Sequence, residues 1–567
     1  MAKLNTTCPY CSKQAHEIGR DTIGGEVYIL LECGHTLIRT IQEAKQLGID
    51  DIVSSDGRHP FPYQIDGVKF LESAECNGLL LDEQGLGKTV QECILLSRNE
   101  WLFPALIVVK SGLRAQWFAE MYRWAGIAAQ VITGSREQPL FEYFRVVIVS
   151  IDSLRLLRPD VKVLSEYEKQ QRRASGRRVP NDKPVWSDET CAQFRHIAID
   201  ESQKIKNDGA SRTKALYKIA TAWERVAGGK RPAIVCMSGT NIEKHAGEFF
   251  VTLNLTRPEM FYSKAVFINQ ECEIHDGRIG GLKDPARFKE RTKDFILRRT
   301  RDQVLPDLPK VFRQFRLAEL EGGEKEAYIK IVKEFQKDFD ADKLTNPTDI
   351  LGYLSRMRHI TGIAKVKACV EFVEEFLLES DRKLVIFLHH QMAGAILMAK
   401  LQRLCMYGDA DLAMADEQLS LPAMQIFNPP LYLSSDLNAL TERPALVEKF
   451  KEPGNRILIA STLASAEGLN MQFCSDCLIM ERQWNPSIEE QAESRFPRPG
   501  STADKINAHY LIAAGTVDDF LTEIVEGKRR NVKQTLDGEE MVWDEKNLIM
   551  ELARTLSEKG LKKWGLR

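Results

Sequence analysis

Most of what this chain lacks narrows its class. No apolar run approaches the roughly 20 residues that cross a bilayer, so no membrane partner is expected. The first residues carry no leader pattern, which predicts an intracellular protein, in the cytoplasm, at a nucleoid or in a virus-infected host cell. Charge of one sign is missing as well: 78 Lys and Arg stand against 80 Asp and Glu, for a net charge of −2. Bulk electrostatics therefore does not advertise nucleic-acid binding, and any polyanion has to be held by local patches. Fixed-period repeats and low-complexity tracts are absent, which excludes solenoids and disordered scaffolds. The 12 cysteines are scattered, mostly inside apolar stretches such as Ile234-Val235-Cys236-Met237. That is the pattern of reduced core residues rather than of a disulfide framework.

A hydrophobic content of 43% with 28% charged residues describes a globular chain. At 567 residues it is long enough for three or four compact units of about 150 residues each. The N-terminus is the exception to the cysteine rule. Cys8-Pro9-Tyr10-Cys11 is followed by Cys33-Gly34-His35, a sulfur and nitrogen set that suits tetrahedral Zn²⁺ if the intervening segment folds as a hairpin. His16 is a rival fourth ligand, and free thiols in a tail are the plainer alternative. Cys474 and Cys477 share the spacing but have no second pair nearby and run into an apolar strand, so they are read as core.

The strongest signal is Asp82-Glu83-Gln84-Gly85-Leu86-Gly87-Lys88-Thr89, after the apolar run Gly78-Leu79-Leu80-Leu81 and before an amphipathic stretch. This is the strand, loop and helix order of a phosphate-binding loop, although Asp82 stands where the first glycine is usual. Amides around Gly85 and Gly87 would cradle phosphate, Lys88 would reach the β- and γ-phosphates, and Thr89 would place a hydroxyl on Mg²⁺. Just over a hundred residues later His196-Ile197-Ala198-Ile199 delivers Asp200 and Glu201 to a strand end, where ligands of open α/β sheets bind. Asp200 is expected to hold Mg²⁺, and Glu201 to orient or deprotonate the attacking water. The pair implies an ATPase.

Short β-rich runs alternate with helical patterns twice, from residue 60 to about 310 and again from about 383, which predicts two similar α/β lobes. Residues 242–375 are rich in helix formers. Two stretches, 159–193 with its run of arginines and 408–430, interrupt the rhythm.

These motifs together resemble superfamily 2 helicases, and within them the Swi/Snf-type DNA translocases, nearest the compact annealing-helicase branch, over residues 60 to about 535. Phe61-Pro62-Tyr63-Gln64 resembles the family's entry motif, which implies that Gln64 reads adenine, with a turn-capping side chain as the alternative. Lys110-Ser111 with Gln116-Trp117, and Ser150 with Ser153-Leu154-Arg155, are similar to motifs that hold DNA phosphates. Asp200-Glu201-Ser202-Gln203 looks like the acidic box, with Gln203 directed toward phosphate or the opposing lobe. Ser238-Gly239-Thr240-Asn241-Ile242 resembles the motif that couples hydrolysis to DNA grip. Phe295-Ile296-Leu297-Arg298-Arg299-Thr300, then Leu308-Pro309-Lys310, is among the most family-specific runs and favours tracking on duplex DNA. In the second lobe, Ala460-Ser461-Thr462, Glu467-Gly468-Leu469-Asn470, Trp484-Asn485-Pro486 and the run from Gln491 to Gly500 complete the set. The resemblance implies DNA contacts at Ser461, Thr462 and Trp484, and phosphate-facing Gln491, Arg495 and Arg498 across the interlobe cleft.

The resulting expectation is an α/β protein of two tandem RecA-like P-loop lobes with helical insertions and a small zinc-ribbon-like module. The boundaries are 1–58 for the zinc module, 59–309 for lobe 1, 310–375 for a helical linker or protrusion, and 376–567 for lobe 2 with C-terminal helices. ATP, Mg²⁺ and Zn²⁺ are the expected cofactors. The expected partners are double-stranded DNA and a protein reached through the N-terminal module, with the chain itself a monomer. A strand-separating DNA or RNA helicase and a non-catalytic scaffold with a decayed motor are the alternative readings.

Overall fold

The computed structural model describes the backbone of residues 5–7, 14–23, 26–31 and 36–40, and then residues 52–526 apart from 135, 159–169, 173, 176–184, 240–244, 276–277, 342, 345–346, 416–425, 435, 438–441, 463–470, 484–485, 499, 502 and 524. The four N-terminal segments, β1 (Asn5–Thr7), β2 (Gln14–Ile23), β3 (Glu26–Leu31) and β4 (Thr36–Thr40), form an antiparallel sheet in chain order. Cys8, Cys11, Cys33 and His35 lie outside the described residues.

The chain divides into two compact units, the first beginning at Met1 and ending at Val304 and the second beginning at Leu305. The first is built on β5 (Gly78–Leu80), β6 (Ala105–Val109), β7 (Ala129–Val131), β8 (Val146–Ser150), β9 (His196–Ile199) and β10 (Ala233–Met237). A separate hairpin, β11 (Cys272–His275) with β12 (Arg278–Leu282), precedes the short β13 (Ile296–Leu297). The sheet order is β13-β5-β10-β9-β6-β8-β7, and every neighbouring pair is parallel. Strands such as Ala105-Leu106-Ile107-Val108-Val109 are buried at every position, because a parallel sheet is covered on both faces. Two apolar clusters do the covering: Leu106, Val149, Trp186 and Phe194 belong to one, Ile107, Ile94, Trp117 and Met121 to the other.

The second unit carries β14 (Lys310–Ala318), β15 (Leu384–Leu388), β16 (Leu431–Leu433), β17 (Ile457–Ser461), β18 (Asp476–Ile479) and β19 (Lys505–Ala513) in the order β14-β19-β18-β15-β17-β16, again all parallel. The expected helical linker over 310–375 is corrected at its start. Lys310–Ala318 is a strand, in register with β19 from Lys310↔Lys505 to Ala318↔Ala513. Its apolar residues do not alternate cleanly, and Phe312 and Phe315 remain exposed. Backbone pairing at a sheet edge, rather than side-chain burial, therefore fixes its conformation. The helices Gly322–Asp340 and Pro347–Glu379 follow, and their Tyr328, Phe335, Ile350 and Leu354 share a core with Ala513 and Val517 at the end of β19. All nine described cysteines are buried and unpaired, Cys474 and Cys477 among them. No helix among the described residues is long and apolar enough to cross a membrane.

Candidate nucleotide-binding site

Because the first sheet is parallel, the carboxyl ends of β5, β6, β8, β9 and β10 share one edge, where helix N-termini and loops gather. The phosphate loop leaves β5 there and enters helix α2 (Lys88–Arg98). Gly85 and Gly87 have φ of +89° and +71°. At Gly87 a Cβ would also lie 2.3 Å from Gln64 Nε2, so both the backbone conformation and the close approach demand glycine. Gln64 sits in helix α1 (Pro62–Ser73), where its Oε1 accepts from Phe61 N–H at 3.0 Å and its Nε2 donates to the Leu86 carbonyl at 3.2 Å. The residue expected to read adenine is buried, caps α1 and ties it to the loop.

Lys88 Nζ donates to the Asp82 carbonyl at 2.7 Å and lies 3.4 Å from that of Glu83. Burial depresses its pKa, and the charges of Glu201, Asp82, Asp200 and Glu83 oppose that shift. Asp200, at the end of β9, is oriented by three protein bonds. Its amide donates to the Val108 carbonyl at 2.9 Å, Oδ1 accepts from Glu201 N–H at 2.9 Å, and Oδ2 accepts from the Trp117 indole at 2.9 Å. Burial and the neighbouring Glu201 push its carboxyl up to about 6, while Trp117 and Lys88 resist. Glu201 itself has φ +51°, a left-handed conformation that costs a non-glycine residue energy and is concentrated at functional sites. Gln203 Nε2 donates to Glu201 Oε2 at 2.5 Å, and its Oε1 accepts from Ser238 Oγ at 2.8 Å. The acidic box is thus linked through Gln203 to the Ser238-Gly239 motif at the end of β10. Asn241 and Ile242 lie outside the described residues.

This arrangement fits a nucleotide triphosphate with Mg²⁺. A glycine cradle and a lysine face two carboxylates whose mutual repulsion a divalent cation relieves, and Thr89 sits one residue into α2. Among the described residues no group of three or more His, Cys, Asp or Glu side chains is placed to hold a metal ion. Mg²⁺ at phosphates takes one or two protein ligands and fills its shell with phosphate oxygens and water.

The other expected residues are placed as follows. Lys110 and the exposed Ser111 follow β6, at the ligand edge of the sheet. Ser150 ends β8, buried, with its hydroxyl 2.7 Å from that of Ser153. In the second unit Ser461 ends β17, and the buried Thr462 donates to the Leu388 carbonyl at 2.9 Å. Gln491 is buried in helix Pro486–Glu493, while Arg495 and Arg498 follow it half-buried, with Arg498 Nε 3.2 Å from the Ser494 carbonyl. Trp484 and residues 467–470 lie outside the described residues.

The sequence reading missed two features. Trp117, in sequence only part of a motif similar to one that holds DNA phosphates, donates its indole N–H to Asp200. Asp82, the anomaly in the loop motif, is fully buried against Arg299 of the run 295–300: Arg299 Nε reaches Oδ1 at 2.9 Å and Nη2 reaches Oδ2 at 2.5 Å. A carboxylate standing where glycine is usual, directly after an apolar strand, was the available signal, since a buried charge requires a partner.

Fold and loop together define an α/β protein of the P-loop class. A family model described as the SNF2-related domain matches residues 63–363, and the chain belongs to that family. It is 26% identical to the "DNA annealing helicase and endonuclease ZRANB3" of Mus musculus over 84% of this chain and 41% of that one. It is also 26% identical to the "SWI/SNF-related matrix-associated actin-dependent regulator of chromatin subfamily A-like protein 1" of Xenopus tropicalis, over 87% and 46%. The chain therefore spans less than half the length of these two relatives. A solved "Sulfolobus solfataricus SWI2/SNF2 ATPase core in complex with dsDNA" aligns over 87% of this chain and 96% of its own at 20% identity, with a TM-score of 0.35, too low to define residue correspondences.

Proposed function

We propose that the chain is an ATP-dependent translocase on double-stranded DNA. The observation that carries the reading is the placement of the glycine-formed loop with Lys88 and of the Asp200–Glu201 pair at the same carboxyl edge of one parallel sheet, in a chain of the SNF2-related family. Lys88 binds and orients the terminal phosphates. Asp200, fixed by Trp117, would hold Mg²⁺, which would supply charge neutralisation at the transferring phosphoryl group. Glu201, fixed by Gln203, positions the attacking water and takes its proton. Arg495 and Arg498 supply the arginine side of the reaction, a contribution worth about 10³ to 10⁵ in kcat where it operates. Lys110, Ser111, Ser150, Ser461, Thr462 and Trp484 grip the DNA backbone, which makes movement independent of sequence and sensitive to salt.

Lys88→Ala and Glu201→Gln are expected to lower steady-state ATP hydrolysis by at least about 10³-fold while circular dichroism stays unchanged. Turnover retained in both variants contradicts the assignment. Zn²⁺ on Cys8, Cys11, Cys33 and His35, with the N-terminal module as the docking point for a protein partner, belongs to the same proposal. Its test is metal analysis of purified protein: about one Zn²⁺ per chain is expected, lost when Cys8→Ser and Cys11→Ser are combined. A full metal content in that variant removes zinc binding from the proposal.

A further inference from the structure

The residues that receive Lys88 are themselves held from far along the chain. Asp82 and Glu83 offer Lys88 their backbone carbonyls, and their carboxylates each take an arginine from the segment that ends the first unit. Asp82 takes Arg299 side-on, through Nε and Nη2. That guanidinium is fixed further by the Tyr63 carbonyl at 2.5 Å and by Gln91 Oε1 at 3.0 Å, while Gln91 Nε2 returns 3.0 Å to Asp82 Oδ2. Glu83 takes Arg301 three ways: its backbone N–H reaches Oε2 at 2.8 Å, and Nε and Nη2 reach Oε1 at 2.8 and 2.6 Å. Burial would raise the Glu83 carboxyl, but the Arg301 charge and its hydrogen bonds hold it below the usual range.

The backbones are joined as well. Leu79, Leu81 and Glu83 donate to the carbonyls of Phe295, Leu297 and Arg299 at 2.8, 2.7 and 2.9 Å, so the ladder between β5 and β13 runs on into the phosphate loop. Three residues beyond Arg301, at Val304, the first unit ends and the chain passes into the second.

We propose that Arg299 and Arg301 are positioning residues of the nucleotide site, which clamp the phosphate loop through Asp82 and Glu83 and thereby tie its state to the segment joining the two units. Both guanidinium groups are neutralised by loop carboxylates, so their part is to hold the loop rather than to contact phosphate. When Lys88 leaves the loop carbonyls for phosphate oxygens, the loop cannot relax without moving Arg299 and Arg301. A loop with the usual glycine at position 82 would absorb that change locally. The inference rests on the nucleotide reading above.

The test is hydrogen–deuterium exchange of the full chain with and without Mg²⁺ and AMP-PNP, read on peptides covering 299–308, beside nucleotide affinity. Glu83 and Arg301 are partly exposed, so Glu83→Gln and Arg301→Gln can be made without opening the core. The unmodified chain is expected to slow exchange in 299–308 on binding the nucleotide. Both variants are expected to lose that response and to bind about fivefold more weakly, with Arg301→Lys, which keeps the charge, recovering part of both. A nucleotide-bound parent with unchanged exchange in 299–308, or an Arg301→Gln chain that responds like the parent, overturns the clamp alone. A parent that binds no Mg²⁺–AMP-PNP overturns the nucleotide reading and the clamp with it.

Discussion

Asp200 carries the clearest cost. An aspartate in an unfolded chain titrates near 3.9, and in the fold this one is pushed up to about 6 by burial and by Glu201. The folded state therefore holds a proton that the unfolded state releases, and the group's favourable contribution is present at low pH and lost as pH rises from about 4 through 6. Asp200→Asn is expected to raise the melting temperature at pH 7.5, with the gain shrinking toward pH 4.5, while turnover disappears. A variant no more stable than its parent at pH 7.5 would mean that the acid pair is not strained. Trp117 acts on the same carboxylate, so Trp117→Phe is expected to raise the Mg²⁺ concentration for half-maximal turnover by about tenfold, measured by Mg²⁺ titration of the ATPase. These residues differ in how readily sequence shows them. Lys88, Asp200 and Glu201 are legible because loop and acid box are contiguous runs with one chemistry. Trp117–Asp200 and Asp82–Arg299 join residues 83 and 217 positions apart, and only the sheet order brings them together.

Among the elements, buried strands announced themselves and the edge strand did not. β6, β8, β9, β15 and β17 are short apolar runs, and those runs are what a doubly covered parallel sheet requires. β14 pairs on one side only and keeps Phe312, Phe315 and Leu317 exposed, so its pattern carries no period to read. The junction of β15 with β18 shows a second device hidden from sequence. Glu481, just past β18, accepts the amides of His389 and His390 at 2.7 and 2.9 Å and meets the His390 ring at 2.5 Å, fixing the turn from β15 into helix Gln391–Tyr407. Burial would raise its carboxyl, but the bonds from His390 and the charge of Lys365 hold it down at about 2. Because the folded pKa is depressed, the stabilisation is present above the ordinary 4.5 and is lost as pH falls from there toward 2. Glu481→Gln is expected to cost on the order of 3 kcal/mol at pH 7, by urea denaturation, and little near pH 2.5. An equal cost at both pH values would assign its role to shape rather than charge.

The whole molecule combines a phosphate loop, paired acids and an arginine-bearing second unit in a chain of the SNF2-related family, at a net charge of −2. With no bulk positive charge, the proposed grip on DNA falls to local side chains and backbone amides. Removing a cationic one, as in Lys110→Ala, is expected to weaken binding to all DNA sequences alike and to flatten the salt dependence of binding. Because hydrolysis is proposed to drive movement along a duplex, the nucleic acid that accelerates turnover identifies the track. Steady-state ATP hydrolysis by the full chain is therefore to be compared at one low salt concentration without nucleic acid and with blunt duplex DNA, single-stranded DNA or RNA. A duplex translocase is expected to be accelerated strongly by the blunt duplex, above the other three conditions. Acceleration by single strands or RNA in preference to duplex, or no turnover under any condition, would contradict that assignment.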